Sequence, residues 1–323
     1  MSATILVLVE QLRGAAADIT FEMLGAARKL SAALQRPVEA VVLGAQGAAL
    51  AGQLGAADRV LVVDDPALDQ PGADAAVGVL QQILAQRTPA LVLLGGTNVS
   101  FGLGTRLAAR TGLPFVNFCK GARADGGAVV LTSQLFGGKI LTDVQLPDAR
   151  GIVSVYPGAF PADAGRRPQA PPVEKLAVSA PAAQVVFREF VEPEAGDVDI
   201  TKQTVLVAVG RGIQSADNVE LAEELAKTLG GAVCASRPVI DQGWLPLSRQ
   251  VGKSGMSVKP RVYLAFGISG APEHWDGMQN SECIIAVNTD AKAPIFDGAH
   301  YGVVGDAVEL LPLLTEKIQA KKG

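Results

Sequence analysis

Small clusters of Gly, Ser, Arg, Asn and Asp residues recur in the C-terminal part of the chain, each directly after an apolar run. Five of them lie between residues 209 and 306: Gly210-Arg211-Gly212, Ser236-Arg237-Pro238, Gly267-Ile268-Ser269-Gly270, Asn288-Thr289-Asp290 and Gly305-Asp306. Glycine lets backbone amides approach a ligand closely, and amides, hydroxyls and guanidinium groups donate hydrogen bonds that phosphate oxygens accept. The clusters therefore predict a site for a phosphate-bearing ligand.

The apolar runs before these clusters contain almost no alternating polar residues; they lie at 204–209, 231–235, 262–266, 284–287 and 301–304. Such runs are typical of strands buried on both faces of a parallel sheet. Helical patterns follow Asn218 and Asp306, so strands and helices alternate, and we predict an α/β domain with a parallel sheet. Ligands of open parallel sheets bind beyond the carboxyl ends of the strands, where all five clusters would lie.

Two prolines, one within a cluster and one just after a cluster, have a local consequence. Pro272 suits a first helical position, which would leave free amides in the preceding turn for a phosphate; an ordinary helix cap is the alternative. His274 lies in the same turn. Pro238 disfavours a helix through Arg237, so we predict an outward loop there.

Two segments match known phosphate-loop motifs only in part. Residues 210–212 begin like a dinucleotide fingerprint, yet Ser215 stands where the third glycine belongs. Residues 252–254 resemble the end of a Walker loop, yet Leu247 stands where its first glycine belongs. The sequence therefore argues against an ordinary NAD site and against a Walker site.

The first half of the chain also alternates, and it predicts an α/β domain with extra β strands. Strand patterns lie at 5–9, 38–43, 59–63, 90–94, 129–132, 136–139 and 152–156, and helical patterns at 21–34, 48–54 and 77–86. We expect residues 129–132 and 136–139 to form a hairpin, and Asp18 or Thr20 to cap the first helix. Residues 95–98, Gly-Gly-Thr-Asn, are either a nucleotide loop or a tight strand-to-helix connection.

Prolines punctuate residues 157–193, which we interpret as a linker or a wrapping arm. Residues 185–190 alternate weakly and predict one last strand of the first domain. We place the domain boundary near Pro193. The chain is then an N-terminal α/β domain at 1–193 and a C-terminal parallel-sheet domain at 194–323.

Composition argues against several classes of function. A net charge of -4 and a pI near 5.4 provide no basic field for nucleic acid. No run reaches the ~18 apolar residues of a spanning helix, and no basic stretch precedes the first strand, so we expect a cytoplasmic protein without membrane insertion or a targeting segment. Three distant cysteines and two histidines argue against a metal site.

Longer motifs around the clusters resemble the alpha (large) subunit of electron-transfer flavoproteins. In the order and spacing of that family, they include DQGW at 241–244, QVGKSG at 250–255, YLAFGISG at 263–270, APIF at 293–296 and YGVVGD at 301–306. Weaker matches at 24–30, 41–44 and 136–139 extend the resemblance over essentially the whole chain.

The resemblance implies one FAD in the C-terminal domain and no catalytic nucleophile. Carried over position by position, it implies that the FAD is lined by Arg211, Ser236, Arg237, Val251, Gly252, Lys253, Ser254, Ser269, Gly270, Ala271, Pro272, Glu273, His274, Asn288 and Asp306. Three of these are implied to tune the flavin: Arg237 against the isoalloxazine ring, Ser254 near N5 and His274 near the pyrimidine carbonyl. A guanidinium or imidazolium there would stabilise the negative charge of the reduced flavin.

The resemblance also implies partners. It implies that the alpha subunit pairs with a smaller beta subunit, which holds AMP. The heterodimer would receive electrons from flavin dehydrogenases such as acyl-CoA dehydrogenases and pass them to a quinone-linked oxidoreductase. Two alternatives stay open. One is an electron-bifurcating, NADH-oxidising flavoprotein whose beta subunit holds a second FAD, and the other is a nucleotide-binding regulatory module without redox function.

Five positions depart from the family pattern. Lys253 and Ser254 stand for Gln and Thr, Pro272 and Glu273 stand for an aliphatic residue and Gln, and His300 stands for Asp. Pro272 removes an amide, and Glu273 adds a negative charge. We therefore hypothesise a subgroup of the family with either a shifted flavin potential or a particular partner.

Overall fold

The computed structural model describes residues 3–45, 47–70, 72–182, 185–189 and 198–322. The chain divides into two compact units, Met1–Glu189 and Phe190–Gly323. The boundary that we predicted near Pro193 lies outside the described residues.

The first unit alternates strands and helices up to its antiparallel portion. Its elements are β1 Ile5–Leu8, β2 Gln11–Leu12, β3 Ala15–Ala16, α1 Asp18–Leu34, β4 Val38–Leu43, α2 Gly47–Leu50, β5 Arg59–Val63, α3 Ala73–Arg87, β6 Leu91–Gly95, α4 Leu103–Thr111, β7 Phe115–Asp125, β8 Ala128–Leu135, β9 Ile140–Leu146, β10 Gly151–Val155 and β11 Val173–Lys175. Nine strands form one sheet in the order β11-β5-β4-β1-β6-β10-β7-β8-β9. The predicted α/β class with an extra β portion is confirmed.

Neighbouring residues of β1 pack on opposite faces of this sheet, which explains its unbroken apolar sequence. Ile5 and Val7 join the core that contains Phe21 of α1, whereas Leu6 joins the core that contains Ile83 of α3. Burying each such side chain contributes about 1.5–3 kcal/mol. Helices on both faces therefore hold the parallel strands.

The antiparallel hairpin does not lie where we predicted it. Strands β7, β8 and β9 are antiparallel neighbours, and Phe136–Gly138 forms the turn between β8 and β9 rather than a strand. The turn requires left-handed backbone, with φ of +64° at Gly137 and +90° at Gly138. Strand β7 was missed because many of its positions are half-exposed and carry polar residues.

The expected helix cap is also wrong. The residue before α1 is Ala17, and no side chain caps the helix. Thr20 Oγ1 instead accepts the Glu10 N–H and donates to the Glu10 carbonyl, both at 2.9 Å. The end of β1 is buried, so its backbone groups need partners, and Thr20 supplies them.

The proline-rich segment packs along the first unit. Strand β11 extends the sheet by pairing with β5, and the turn Ala162–Gly165 lies against α1 so closely that a Cβ on Gly165 would stand 1.9 Å from the Phe21 carbonyl oxygen. The strand predicted at 185–190 is not formed over the described residues 185–189. Val185 and Val186 are about two-thirds exposed, so the weak alternation there buries no face.

The second unit is an entirely parallel sheet with helices on its faces. Its elements are β12 Val205–Val209, α5 Val219–Leu229, β13 Ala232–Ala235, α6 Arg237–Asp241, β14 Val262–Phe266, α7 Pro272–Met278, β15 Cys283–Asn288, β16 Tyr301–Val304 and α8 Ala307–Lys322. The sheet order is β13-β12-β14-β15-β16. All five predicted strands are present. Strand β16 is nevertheless exposed along its whole length, because it forms the edge of the sheet.

Candidate functional site

A cavity of about 690 Å³ opens at the carboxyl edge of the second sheet. Strand β12 leads through α5 to β13 on one side, and the chain then crosses to β14 on the other side of β12. Such a switch in strand order leaves a crevice between the diverging loops, which is where α/β sheets bind ligands. The volume lies within the usual range of small-molecule and cofactor sites.

Twelve of the fifteen positions that the resemblance implied line this cavity: Arg211, Ser236, Arg237, Val251, Gly252, Lys253, Ser254, Ser269, Ala271, Glu273, His274 and Asn288. Gly270, Pro272 and Asp306 do not line it. Five further residues line it that are not among those fifteen. Gly212, Pro238, Gly267 and Ile268 belong to the strand-end clusters, and Gln250 does not. The loops after four neighbouring strands therefore converge on one volume.

Two glycines allow the loops after β12 and β14 to touch backbone to backbone. A Cβ on Gly212 would stand 2.6 Å from the Gly267 Cα, and Gly267 adopts a φ of +63°. The Gly212 N–H donates to the Gly267 carbonyl at 3.1 Å. Both glycines line the cavity, so this contact fixes the spacing of the two loops there.

The segment around Gly252 forms another wall. Gly252 has a φ of +139°, and a Cβ there would stand 2.8 Å from the Glu273 carbonyl oxygen. That carbonyl accepts the Lys253 N–H at 2.7 Å. The segment is thereby tied to the first turn of α7, which starts at Pro272 as predicted.

Gln250 supports Ser254 from within the protein. Gln250 is 3% exposed, and its Nε2 donates to Ser254 Oγ at 2.9 Å. Because Ser254 Oγ accepts this bond, its own proton is available for another acceptor. Gln250 stands in a motif that we quoted from the sequence, but nothing in its residue type pointed to this role.

His274 is buried beside the cavity, 6% exposed, with Nε2 2.9 Å from the Tyr263 hydroxyl. Nδ1 has no hydrogen-bond partner among the described residues. Burial lowers the pKa of His274 to about 4, although the nearby Val251 carbonyl acts in the opposite direction. His274 is therefore neutral near pH 7, and the imidazolium that we expected is not formed in this structure.

Arg237 begins helix α6 instead of an outward loop, which corrects the sequence prediction. Pro238 falls in the first turn of the helix. A backbone N–H there would have no acceptor within the helix, so proline loses nothing by lacking one, and its fixed φ suits the helix. The exposed Arg237 Nε lies 3.3 Å from Asp241 Oδ2, one turn further along. The guanidinium is thus held at the mouth of the cavity by a weak surface pair.

Asp306, which was implied to bind FAD, and His300, which departs from the family pattern, both have structural partners outside the cavity. Asp306 Oδ1 accepts the Val308 N–H at 2.8 Å and so satisfies the start of α8. His300 Nδ1 accepts the Ile284 N–H at 2.9 Å, which is the role that a carboxylate oxygen of the usual Asp would suit. The departure at His300 therefore has a local structural explanation.

The Gly-Gly-Thr-Asn turn of the first unit is a tight connection. The Gly96 N–H donates to the Val155 carbonyl at 2.7 Å. The hydroxyls of Thr97 and Ser100 both donate to the buried Glu10 carboxylate, at 2.7–2.8 Å. The cavity beside them measures only about 70 Å³.

No three His, Cys, Asp or Glu side chains among the described residues are grouped as metal ligands. None of the helices over those residues is long and apolar enough to cross a membrane.

The residues of the second-unit cavity fit a dinucleotide such as FAD. Arg211, Arg237 and Lys253 place cationic side chains around it, glycines expose backbone amides, and His274 Nδ1 is a buried polar atom without a partner in the described structure. The cations and amides suit phosphates, and the buried ring nitrogen suits a polar edge of a ligand ring. Fold and site together define a dinucleotide-binding α/β protein.

Comparisons with known proteins narrow this class. Residues 199–279 match the electron transfer flavoprotein FAD-binding domain, and residues 5–181 match the electron transfer flavoprotein domain. The chain therefore belongs to the electron transfer flavoprotein alpha-subunit family, and its second unit contains the FAD-binding domain.

Three relatives illustrate the match. The chain is 37% identical to the electron transfer flavoprotein subunit alpha of Megasphaera elsdenii, over 99% of this chain and 97% of the relative. It is 39% identical to that of Mycobacterium tuberculosis, over 99% and 100%. It is 34% identical to subunit LctC of a lactate dehydrogenase (NAD(+),ferredoxin) of Acetobacterium woodii, over 98% and 77%.

Proposed function

We propose that this chain carries one FAD as the alpha subunit of a heterodimeric electron-transfer flavoprotein in the cytoplasm. It would receive electrons from flavin dehydrogenases such as acyl-CoA dehydrogenases and pass them to a quinone-linked oxidoreductase. The proposal rests on the 690 Å³ cavity at the switch in strand order, which is lined by twelve of the fifteen positions implied to bind FAD. The bound flavin supplies the electron-accepting ring, and the protein supplies binding and tuning.

The side chains divide this work by charge. Arg211 and Lys253 are cations that suit the phosphates, and Arg237 is a cation that can exchange its exposed partner Asp241 for the ligand. Ser254 offers a hydroxyl proton, and neutral His274 offers one N–H. None of these groups has to act as a nucleophile or a general base.

A beta subunit completes the proposed carrier. In the simple carrier this subunit holds AMP, and the alpha subunit alone holds the flavin. Two FAD molecules per heterodimer would instead indicate the second candidate function, which is electron bifurcation with NADH as the donor.

The names of two relatives are the reason for the second candidate function, electron bifurcation. One is LctC, named above for a dehydrogenase that uses NAD(+) and ferredoxin. The other is the acryloyl-CoA reductase electron transfer subunit beta of Anaerotignum propionicum, 34% identical over 98% of this chain and 95% of the relative. Relatives named simply as subunit alpha have similar identity, so overall similarity does not separate the two functions.

The deciding experiment is to purify the chain with its beta subunit and record the visible spectrum during stepwise anaerobic reduction. One FAD per heterodimer, reduced by an acyl-CoA dehydrogenase with its substrate but not by NADH, supports the carrier. Two FAD per heterodimer that are bleached by NADH support bifurcation. A colourless complex that takes up no added FAD would overturn both and favour the regulatory module.

A further inference from the structure

Tyr263 is a fully buried tyrosine on β14 whose hydroxyl contacts the site from behind. It is 0% exposed and is among the largest fully buried side chains of the described residues. It does not line the cavity, yet its hydroxyl lies 2.9 Å from Nε2 of His274, which does. A buried phenol needs a hydrogen-bond partner, and this contact supplies one.

The direction of this hydrogen bond follows from its surroundings. The other polar neighbour of the Tyr263 hydroxyl is Cys234 Sγ at 3.9 Å, a thiol that donates and accepts only weakly. Burial raises the pKa of both groups, that of Cys234 to about 12, so both keep their protons. Because an imidazole nitrogen is a better acceptor than a thiol sulfur, the Tyr263 O–H donates to His274 Nε2.

The tautomer of His274 then follows. A neutral imidazole has one N–H, and a ring nitrogen that accepts a hydrogen bond does not carry it. With Nε2 accepting from Tyr263, the proton lies on Nδ1, which is buried and has no hydrogen-bond partner in the described part of the chain. The site thus contains a desolvated N–H donor with no acceptor in hydrogen-bond geometry, although the Val251 carbonyl lies near enough to the ring to raise the pKa of His274.

We propose that Tyr263 is a positioning residue for the flavin, which holds His274 in the Nδ1–H tautomer so that this N–H is available to a carbonyl of the bound ring. This inference rests on the proposed function. The donor stabilises negative charge that develops on the ring during reduction, while the neutral imidazole adds no full charge to the buried site. Tyr263 acts through His274 and does not touch the ligand itself.

His300 provides an internal control for this assignment. Its Nδ1 accepts the Ile284 N–H, so neutral His300 carries its proton on Nε2. The chain contains only these two histidines. The structure therefore predicts opposite tautomers for the two rings, which one spectrum can distinguish.

The first test is a long-range 1H–15N NMR spectrum of the heterodimer, with labelled histidine in this chain only, at about pH 8, where an ordinary histidine is neutral. The variant His300→Asn assigns the two rings. We expect the Nδ1–H pattern for His274 and the Nε2–H pattern for His300. A His274 ring that carries its proton on Nε2 overturns the proposal, with no variant of Tyr263 required.

The second test is Tyr263→Phe, which removes the donor and keeps the ring. We expect His274 to lose its single tautomer and the one-electron reduced flavin to become about tenfold less stable, which lowers the first reduction potential by about 59 mV. The matched control is Cys234→Ala, which touches the same hydroxyl but leaves the bond to His274. Equal effects of the two variants, or unchanged tautomer and potential in Tyr263→Phe, would refute the role of Tyr263.

The outcomes separate this inference from the proposed function. If the wild-type heterodimer binds no FAD, the proposed function fails, and so does the link between Tyr263 and a flavin. The tautomer measured in the flavin-free heterodimer would still show whether Tyr263 controls His274. If FAD binds at one per heterodimer and the tautomer is wrong, only the inference fails.

Discussion

The two units have the same kind of sheet edge and use it in different ways. In each unit the strand order reverses beside one strand, β1 in the first unit and β12 in the second. In the first unit, the Glu10 carboxylate accepts the hydroxyls of Thr97 and Ser100, and about 70 Å³ remains open. In the second unit, the cavity measures about 690 Å³ and His274 Nδ1 has no partner in the described structure.

This difference shows that topology provides a place for a ligand but does not make a site. A polar group that is paired inside the protein contributes to folding, whereas a buried group left without a partner costs stability until a ligand satisfies it. The first edge pairs its carboxylate within its own unit and leaves one buried acceptor, Gln11 Oε1, without a partner among the described residues. The second edge leaves the buried atom His274 Nδ1 without one, beside about ten times the open volume, which is room for a ligand.

The largest effect is expected from Glu10→Ala at the closed edge. The change leaves the buried hydroxyl of Ser100 and the half-buried hydroxyl of Thr97 without their acceptor, so the free energy of unfolding of the first unit should fall by about 2–4 kcal/mol. Urea denaturation measures this change, and Glu10→Gln, which retains one acceptor oxygen, should cost less. FAD content should remain at the wild-type value under folding conditions. Loss of FAD without loss of stability would contradict our contrast between the edges.

At the open edge of the second unit, His274 should make the free energy of unfolding depend on pH. The folded pKa of His274 is about 4, below the unfolded value of about 6.5. As the pH falls below 6.5 the unfolded chain binds the proton first, so stability falls until about pH 4, by about 3 kcal/mol at most. The measurement is flavin-free urea unfolding of wild type and His274→Gln between pH 7.5 and 4.5, roughly the range set by these values. If the free energy of unfolding changed equally with pH in wild type and in His274→Gln, His274 would not be buried in its neutral form.

A glycine substitution tests the wall of the open cavity. In Gly252→Ala the new Cβ meets the Glu273 carbonyl at a φ of +139°, so the wall must move. The strain is about 1–3 kcal/mol, and we expect FAD affinity to fall by about 5- to 100-fold in a fluorescence titration. Gly243→Ala is the matched control, with a φ of +72° and nothing within 4 Å of its Cβ. Equal loss of affinity in both variants would attribute the effect to general destabilisation.

The smallest effect is expected from Glu273→Gln. Glu273 is an exposed carboxylate on the cavity lining, and removing its negative charge should raise the flavin reduction potential by roughly 10–40 mV. Spectroelectrochemistry measures the change, and Glu282→Gln, an exposed carboxylate away from the cavity, should leave the potential unaltered. An unchanged potential in Glu273→Gln would end the hypothesis that this family departure tunes the flavin.

The sequence by itself determined the parallel strands of the second unit and most of its cavity lining. Apolar runs that end in Gly, Ser, Arg or Asn are local patterns, and each strand end carries its cluster with it wherever the sheet forms. The family resemblance then named individual positions, and twelve of fifteen line one cavity. The hairpin turn and the start of α6 were wrong because weak alternation and a single proline each permit more than one local conformation.

Only the tertiary structure decided which polar groups pair and which remain available. Glu10 meets Thr97 across 87 positions, and Tyr263 reaches His274 from a strand to the helix that follows it. Neither residue type predicts its partner, because a carboxylate or a phenol accepts many neighbours and the sheet order selects one. The same switch in strand order thus became a closed connection in one unit and an open cavity in the other.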